Sequence, residues 1–120
     1  DPKFVVGYVE SAEAHPKSDH LQITKTNVGL DQPLQIVSGS PNMQADILVV
    51  VAKVGAMMPS GLIIWPGELR GVESDGMIVS GRELQLPNAP QRPGALILPA
   101  DYQPVGAPFD FKRAQTLFTA

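Results

Sequence analysis

Eleven Gly and twelve Pro are spread from one end of this 120-residue chain to the other. They cut its apolar residues into short runs rich in Val and Ile, and that punctuation constrains the fold more than any other feature. The runs are Phe4 to Val9 (continuing polar to Ala14), Leu21 to Val28, Leu34 to Val37, Ile47 to Val54, Leu62 to Trp65, Met77 to Val79 and Ala95 to Leu98. From Leu21 to Val28 the polarity pattern is nearer a period of two than of 3.6. Several short strands at close spacing predict an all-β barrel or sandwich. The run Ile47 to Ala52 is apolar on both faces, as in a strand that is buried on both sides or closes a barrel. It is far too short to cross a bilayer. Helix signals are few. Single turns are predicted at Asn42 to Asp46 and at Glu83 to Leu86, with some helical character over Ala114 to Phe118. The stretch Leu86 to Pro99, with Pro87, Pro90, Pro93 and Pro99, reads as an ordered surface connection.

Hydrophobic residues make up 43% and charged residues 18%, which fits one folded domain rather than a disordered tail. There is no Cys. This removes disulfides, thiol nucleophiles and Cys-based zinc sites, and it is compatible with a reducing cytosol. Nothing at the N-terminus reads as a signal peptide, so a cytoplasmic domain is expected. The first residue is Asp1 rather than Met, as in a piece of a longer protein. Nine Lys and Arg face twelve Asp and Glu, a net charge of -3. Binding to nucleic acid would then depend on the placement of a few cations, not on a global positive field.

Three clusters carry candidate chemistry. His15-Pro16-Lys17-Ser18-Asp19-His20 is the densest polar stretch. It lacks a third His, and a turn shaped by Pro16, Ser18 and Asp19 accounts for it better than zinc does. Ser38-Gly39-Ser40-Pro41-Asn42 follows an apolar run. It does not form a G-x-S-x-G elbow, since Val37 stands where Gly is needed. A loop offering small polar groups to a ligand is expected there. Leu69-Arg70-Gly71-Val72-Glu73-Ser74-Asp75-Gly76-Met77 is rich in turn residues. Taken alone, it has Arg70 pairing with Glu68, Glu73 or Asp75 and Met77 in the core. Ser80-Gly81-Arg82 adds a hydroxyl and a cation beyond it. No phosphate-binding Gly loop and no acid–base pair of carboxylates is present. No catalytic residue, metal or cofactor is expected.

Taken in order, the segments G-Y-V at 7–9, H-P-x-x-D-x-L at 15–21, L-Q-I-V-x-G-x-x-N at 34–42, V-A-K-V-G-A-x-x-P-S-G at 51–61 and L-R-G-V-x-S-x-G-M-x-x-S at 69–80 resemble the tRNA-binding domain family. That family includes modules of the phenylalanyl-tRNA synthetase β chain and of methionyl-tRNA synthetases. The opening Pro2 to Val9 and the continuation Glu83 to Pro87 look most like its small bacterial YtpR-type members, which carry an extra N-terminal region. The resemblance implies a five-stranded OB-fold Greek-key barrel with short helical turns. It also implies a non-catalytic module that recognises folded tRNA by shape and backbone contacts. The domain is expected to occupy residues 1–120, with its core at 4–99 and a C-terminal extension at 100–120. By match to the motifs, the RNA-facing residues are Ser38, Asn42, Arg70, Met77 and Ser80, with Lys25, His15 and Arg82 nearby. Some relatives are dimers, which makes a homodimer a further expectation.

The chain departs from the family at three places. Trp65-Pro66-Gly67-Glu68 stands where basic residues are frequent, His20 where Lys is common, and Ser38 where Cys is common. An alternative reading is a protein-interaction or chaperone-like module that docks through Trp65, Met57 and Met58.

Overall fold

A computed structural model describes residues 3–90 and 94–118; Pro93 of the proline-rich connection lies outside them. Among these residues eight strands form: β1 (Phe4–Ala14), β2 (Gln22–Asn27), β3 (Leu34–Ser38), β4 (Leu48–Ala52), β5 (Gly67–Leu69), β6 (Val72–Ser74), β7 (Met77–Ile78) and β8 (Ile97–Leu98). One short helix, α1 (Phe111–Ala114), follows, with Asp110 accepting from the Arg113 N–H as its N-cap. The main sheet is antiparallel in the order β3-β2-β1-β4-β7, and β8 also pairs with β4. A three-strand meander whose fourth strand returns beside the first is a Greek key.

The barrel closes almost completely at its far side. The Asp75 N–H donates to the Gln35 carbonyl at 2.8 Å, and the Val37 N–H donates to Ser74 Oγ at 3.0 Å. These bonds join β3 to the corner between β6 and β7. The result is the five-strand OB barrel expected from the motifs. β1 is long enough to serve two neighbours. Its first half pairs with β4, Phe4 opposite Ala52 to Tyr8 opposite Leu48, and its second half pairs with β2. The register with β2 shifts between Val9 and Ser11, a bulge that bends β1 around the barrel.

Every residue of β4 is buried, because apolar layers cover both of its faces. On the barrel side Val49 and Val51 join Val5, Val9, Val28, Ile36 and Ile78. Gly7 belongs to this face, and a Cβ there would sit 2.8 Å from the Val51 side chain and 3.0 Å from that of Thr26. On the outer side Leu48, Val50 and Ala52 join Val6, Leu84, Leu86, Leu96, Leu98, Tyr102, Phe109 and Ala114. The outer layer is therefore supplied by the second half of the chain. It continues past residue 99, where the sequence placed only an extension. Residues 106–109 run beside the free edge of β1. The Val6 N–H donates to the Ala107 carbonyl, and the N–H groups of Gly106 and Phe109 donate to the carbonyls of Val6 and Phe4.

One apolar run does not become a strand. Leu62 to Trp65 makes a single bridge, Met57 with Ile63, and only Ile64 is buried. Pro59-Ser60-Gly61 reverses the chain just before it and Pro66 follows, so no ladder extends. Of the two methionines proposed for docking, Met58 is buried and Met57 is exposed.

Candidate nucleic-acid interface

The long β4–β7 connection carries the hairpin β5–β6. Leu69 pairs with Val72, leaving a two-residue loop of Arg70 and Gly71. Both have positive φ, 55° and 84°, the signature of a type I′ turn. Such turns favour Asn or Gly first, so Arg70 is held in a left-handed conformation that costs a non-glycine residue about 1–3 kcal/mol. The Arg70 side chain is exposed and makes no ion pair or hydrogen bond with another described residue. This replaces the internal pairing with Glu68, Glu73 or Asp75 read from the sequence.

The hairpin is fixed by His15, whose ring is 2% exposed. Nδ1 accepts from the Lys17 N–H at 2.9 Å, so Nε2 carries the proton and donates to the Leu69 carbonyl, also at 2.9 Å. His15 thus ties the β1–β2 turn to the residue before Arg70 and acts as a positioning group; its ring is not presented to a ligand. Both ring nitrogens are used, so His15 does not join Asp19 and His20 around a metal. Those two pair with each other at 3.1 Å on the surface. The hydrogen bond from His20 holds the Asp19 carboxyl below its ordinary range.

Between this hairpin, the end of β3 and the start of the 80–85 turn lies a groove of about 800 Å³. Ser38, Ser40, Met77, Ser80 and Arg82 line it together with Leu62, Ile63, Trp65, Glu68 and Leu69. Ser38 is buried, and its Oγ accepts from the Ser40 N–H at 3.2 Å. Ser80 Oγ accepts from the Glu83 N–H at 3.0 Å, while Glu83 Oε1 accepts from the Ser80 N–H at 2.9 Å. That reciprocal pair is a capping box for one helical turn. Met77 is half-buried and Arg82 exposed.

The structure places Asn42 and Lys25 outside this groove. The Asn42 carboxamide clamps the backbone of Ala95, with Nδ2 donating to its carbonyl at 3.0 Å and Oδ1 accepting from its N–H at 2.9 Å. At about 0.5–1.5 kcal/mol per hydrogen bond, Asn42→Ala, which loses two, is expected to lower unfolding stability by about 1–3 kcal/mol, measured by chemical denaturation. Any loss of RNA affinity in that variant then includes a structural part. Lys25 lies exposed on the outer face of β2. It donates to Gln35 Oε1 at 2.6 Å, and Gln35 Nε2 donates to the Glu73 carbonyl at 2.9 Å. This holds the ammonium over the β2–β3 face beside the hairpin. Ser74 stands in the motif at 69–80 but not among the RNA-facing residues taken from it. Its buried hydroxyl accepts from Val37 and donates to the Gly76 carbonyl, so it closes the barrel beneath the groove.

Open sheet face, β1–β2 turn and β4–β7 connection are the surfaces with which OB barrels meet oligonucleotides. Residues 4–107 match the family described as "Putative tRNA binding domain". The chain belongs to the tRNA-binding domain family. It is 58% identical over 110 residues to the "Putative tRNA-binding protein YtpR" of Bacillus subtilis (strain 168), covering 92% of this chain and 54% of that protein. It is 47% identical over 108 residues to the phenylalanine–tRNA ligase beta subunit of Porphyromonas gingivalis, covering 88% of this chain and 13% of that subunit. The chain therefore spans about half of the first relative and a small part of the second. Among solved structures, a MetRS-related protein from Pyrococcus horikoshii superposes with a TM-score of 0.61 at 21% identity, over 87% of this chain and 85% of that one. The C-terminal domain of Plasmodium vivax p43 gives 0.61 at 25% identity, over 95% and 73%. Among the described residues, no helix is long and apolar enough to cross a membrane.

Proposed function

We propose that this domain binds folded tRNA without catalysing a reaction on it, in the cytoplasm where tRNA is used. The observation that carries this reading is the His15 tie, which holds a backbone-strained Arg70, without a partner among the described residues, at the tip of a hairpin. Lys25 lies on the adjoining sheet face and Arg82 in the groove beside it. Backbone strain concentrated under an exposed cation fits a residue kept for contact rather than for folding. The hydroxyls of Ser38, Ser74 and Ser80 are engaged with backbone N–H groups, which suits shaping a surface better than nucleophilic attack.

With about three cations facing phosphate, the salt dependence should be shallow. Affinity for labelled tRNA, read by fluorescence anisotropy, is expected to fall about 10- to 40-fold between about 50 and 200 mM salt. Folded tRNA should bind more tightly than unstructured RNA of equal length. Equal binding to any polyanion, or none, would overturn the reading and favour a protein partner.

A further inference from the structure

The phosphate contacts just proposed leave one prominent groove residue unused. Trp65 is 72% exposed and makes no ring contact or side-chain hydrogen bond with another described residue. The wall around it is apolar, from Leu62, Ile63, Leu69 and Met77, and its charged lining is Glu68, Glu83 and Arg82. Glu83 is engaged by the Ser80 N–H. Glu68 is exposed and makes no ion pair or side-chain hydrogen bond with another described residue. Two carboxylates face one guanidinium on this lining, so beyond the single contact at Arg82 the groove repels further phosphate. A nucleobase suits the same lining. It is uncharged, offers a flat face to an indole, and carries N–H donors for a carboxylate that can only accept.

We infer that the groove seats one unstacked base of the bound RNA, its face on Trp65 and its donor edge toward Glu68. Guanine fits best, since its N1–H and N2–H₂ are adjacent donors that match the two oxygens of one carboxylate. This inference rests on the tRNA-binding reading and adds a base-reading subsite to a surface otherwise argued from phosphate contacts. The subsite is built from Trp65 and Glu68 of this chain's Trp65-Pro66-Gly67-Glu68 segment.

Trp65 is the only tryptophan, so red-edge excitation makes its emission a direct reporter of the groove. The chain would be titrated with tRNA while anisotropy of labelled tRNA is followed in parallel. GMP, AMP, UMP and inorganic phosphate would be titrated separately. The expected result is strong quenching by tRNA and by GMP, weaker quenching by UMP, and none by phosphate. Trp65→Ala should weaken tRNA binding about tenfold, and Trp65→Phe should recover most of it. Glu68→Gln should erase the preference for GMP over AMP and weaken tRNA binding less than Trp65→Ala does. If tRNA binds by anisotropy while Trp65 emission stays unchanged, or Trp65→Ala binds as the parent does, the base seat is wrong and the tRNA-binding reading survives. If anisotropy shows no binding, both fail. A concentration-dependent blue shift without RNA would assign the groove to a second copy of the chain and overturn the inference.

Discussion

Replacing Phe109 with alanine is expected to cost about 3–5 kcal/mol of unfolding free energy, the range for deleting a fully packed aromatic ring. Phe109 is buried in the outer layer over β4. Its ring stacks near Tyr102 with centroids 6.0 Å apart and meets Phe111 edge-on at 4.9 Å. Phe111 in turn meets Phe4 edge-on at 5.4 Å, which links the cluster to the first residue of β1. Arg113 lies 4.2 Å over the Tyr102 ring, and its guanidinium also donates to the Tyr102 carbonyl. Removing the ring would open a cavity in the layer that also holds Val6, Val50 and Leu98. Domains of this size hold only about 5–15 kcal/mol in total, so urea denaturation should show a much lower midpoint, or a chain unfolded at the start. Phe109→Leu, which keeps most of the volume, should cost clearly less and keeps the comparison measurable. A cost under about 1 kcal/mol for Phe109→Ala would mean that the chain after residue 99 is not part of the core in solution.

That expectation concerns the part of the fold least legible in the sequence. The run Ile47 to Ala52 announced a doubly buried strand because no polar residue interrupts it. The period near two from Leu21 to Val28 announced a strand but not which face is buried: Thr24 and Thr26 face inward, their hydroxyls 2.9 Å apart, while Leu21 and Ile23 are half-buried. Tyr102 and Phe109 gave no such signal. They are isolated aromatics between Pro99, Pro104, Gly106 and Pro108, and one buried residue per turn has no period to detect. Leu62 to Trp65 failed in the opposite way: its composition suits a strand, but the turn before it and Pro66 after it leave no neighbour to pair with. At the interface, motif matching found the residues without their jobs. His15 and Asn42 occupy motif positions, yet each is occupied by backbone partners. A string of residue types does not distinguish a side chain that clamps the backbone from one that meets a ligand. Arg70 shows the converse. Nearby carboxylates suggested internal pairing, and only the turn geometry, which points the chain outward at a tight reversal, separates it from them.

Arg70→Asn is expected to make the domain more stable and worse at binding, and the opposite signs are what make the variant informative. Asn adopts positive φ far more readily than Arg, and Asn-Gly is a favoured pair for a type I′ hairpin. Relief at φ 55° should raise unfolding stability by about 1 kcal/mol. The same change removes the cation at the hairpin tip. Affinity for tRNA should fall about 10- to 150-fold, by analogy with charge-assisted contacts worth about 1.5–3 kcal/mol. The slope of log affinity against log salt should become shallower by about one contact's worth. Arg70→Lys, which keeps the charge and the strain, should retain most of the salt slope while losing the forked geometry of the guanidinium. A purely structural role for Arg70 predicts that stability and affinity move together. A contact role predicts that they separate, because the strained backbone is then tolerated for the sake of what the side chain touches. Denaturation and anisotropy on the same protein preparation decide between the two. If Arg70→Asn is both more stable and equally good at binding tRNA, the hairpin tip is not the contact and the search moves to Lys25 and Arg82.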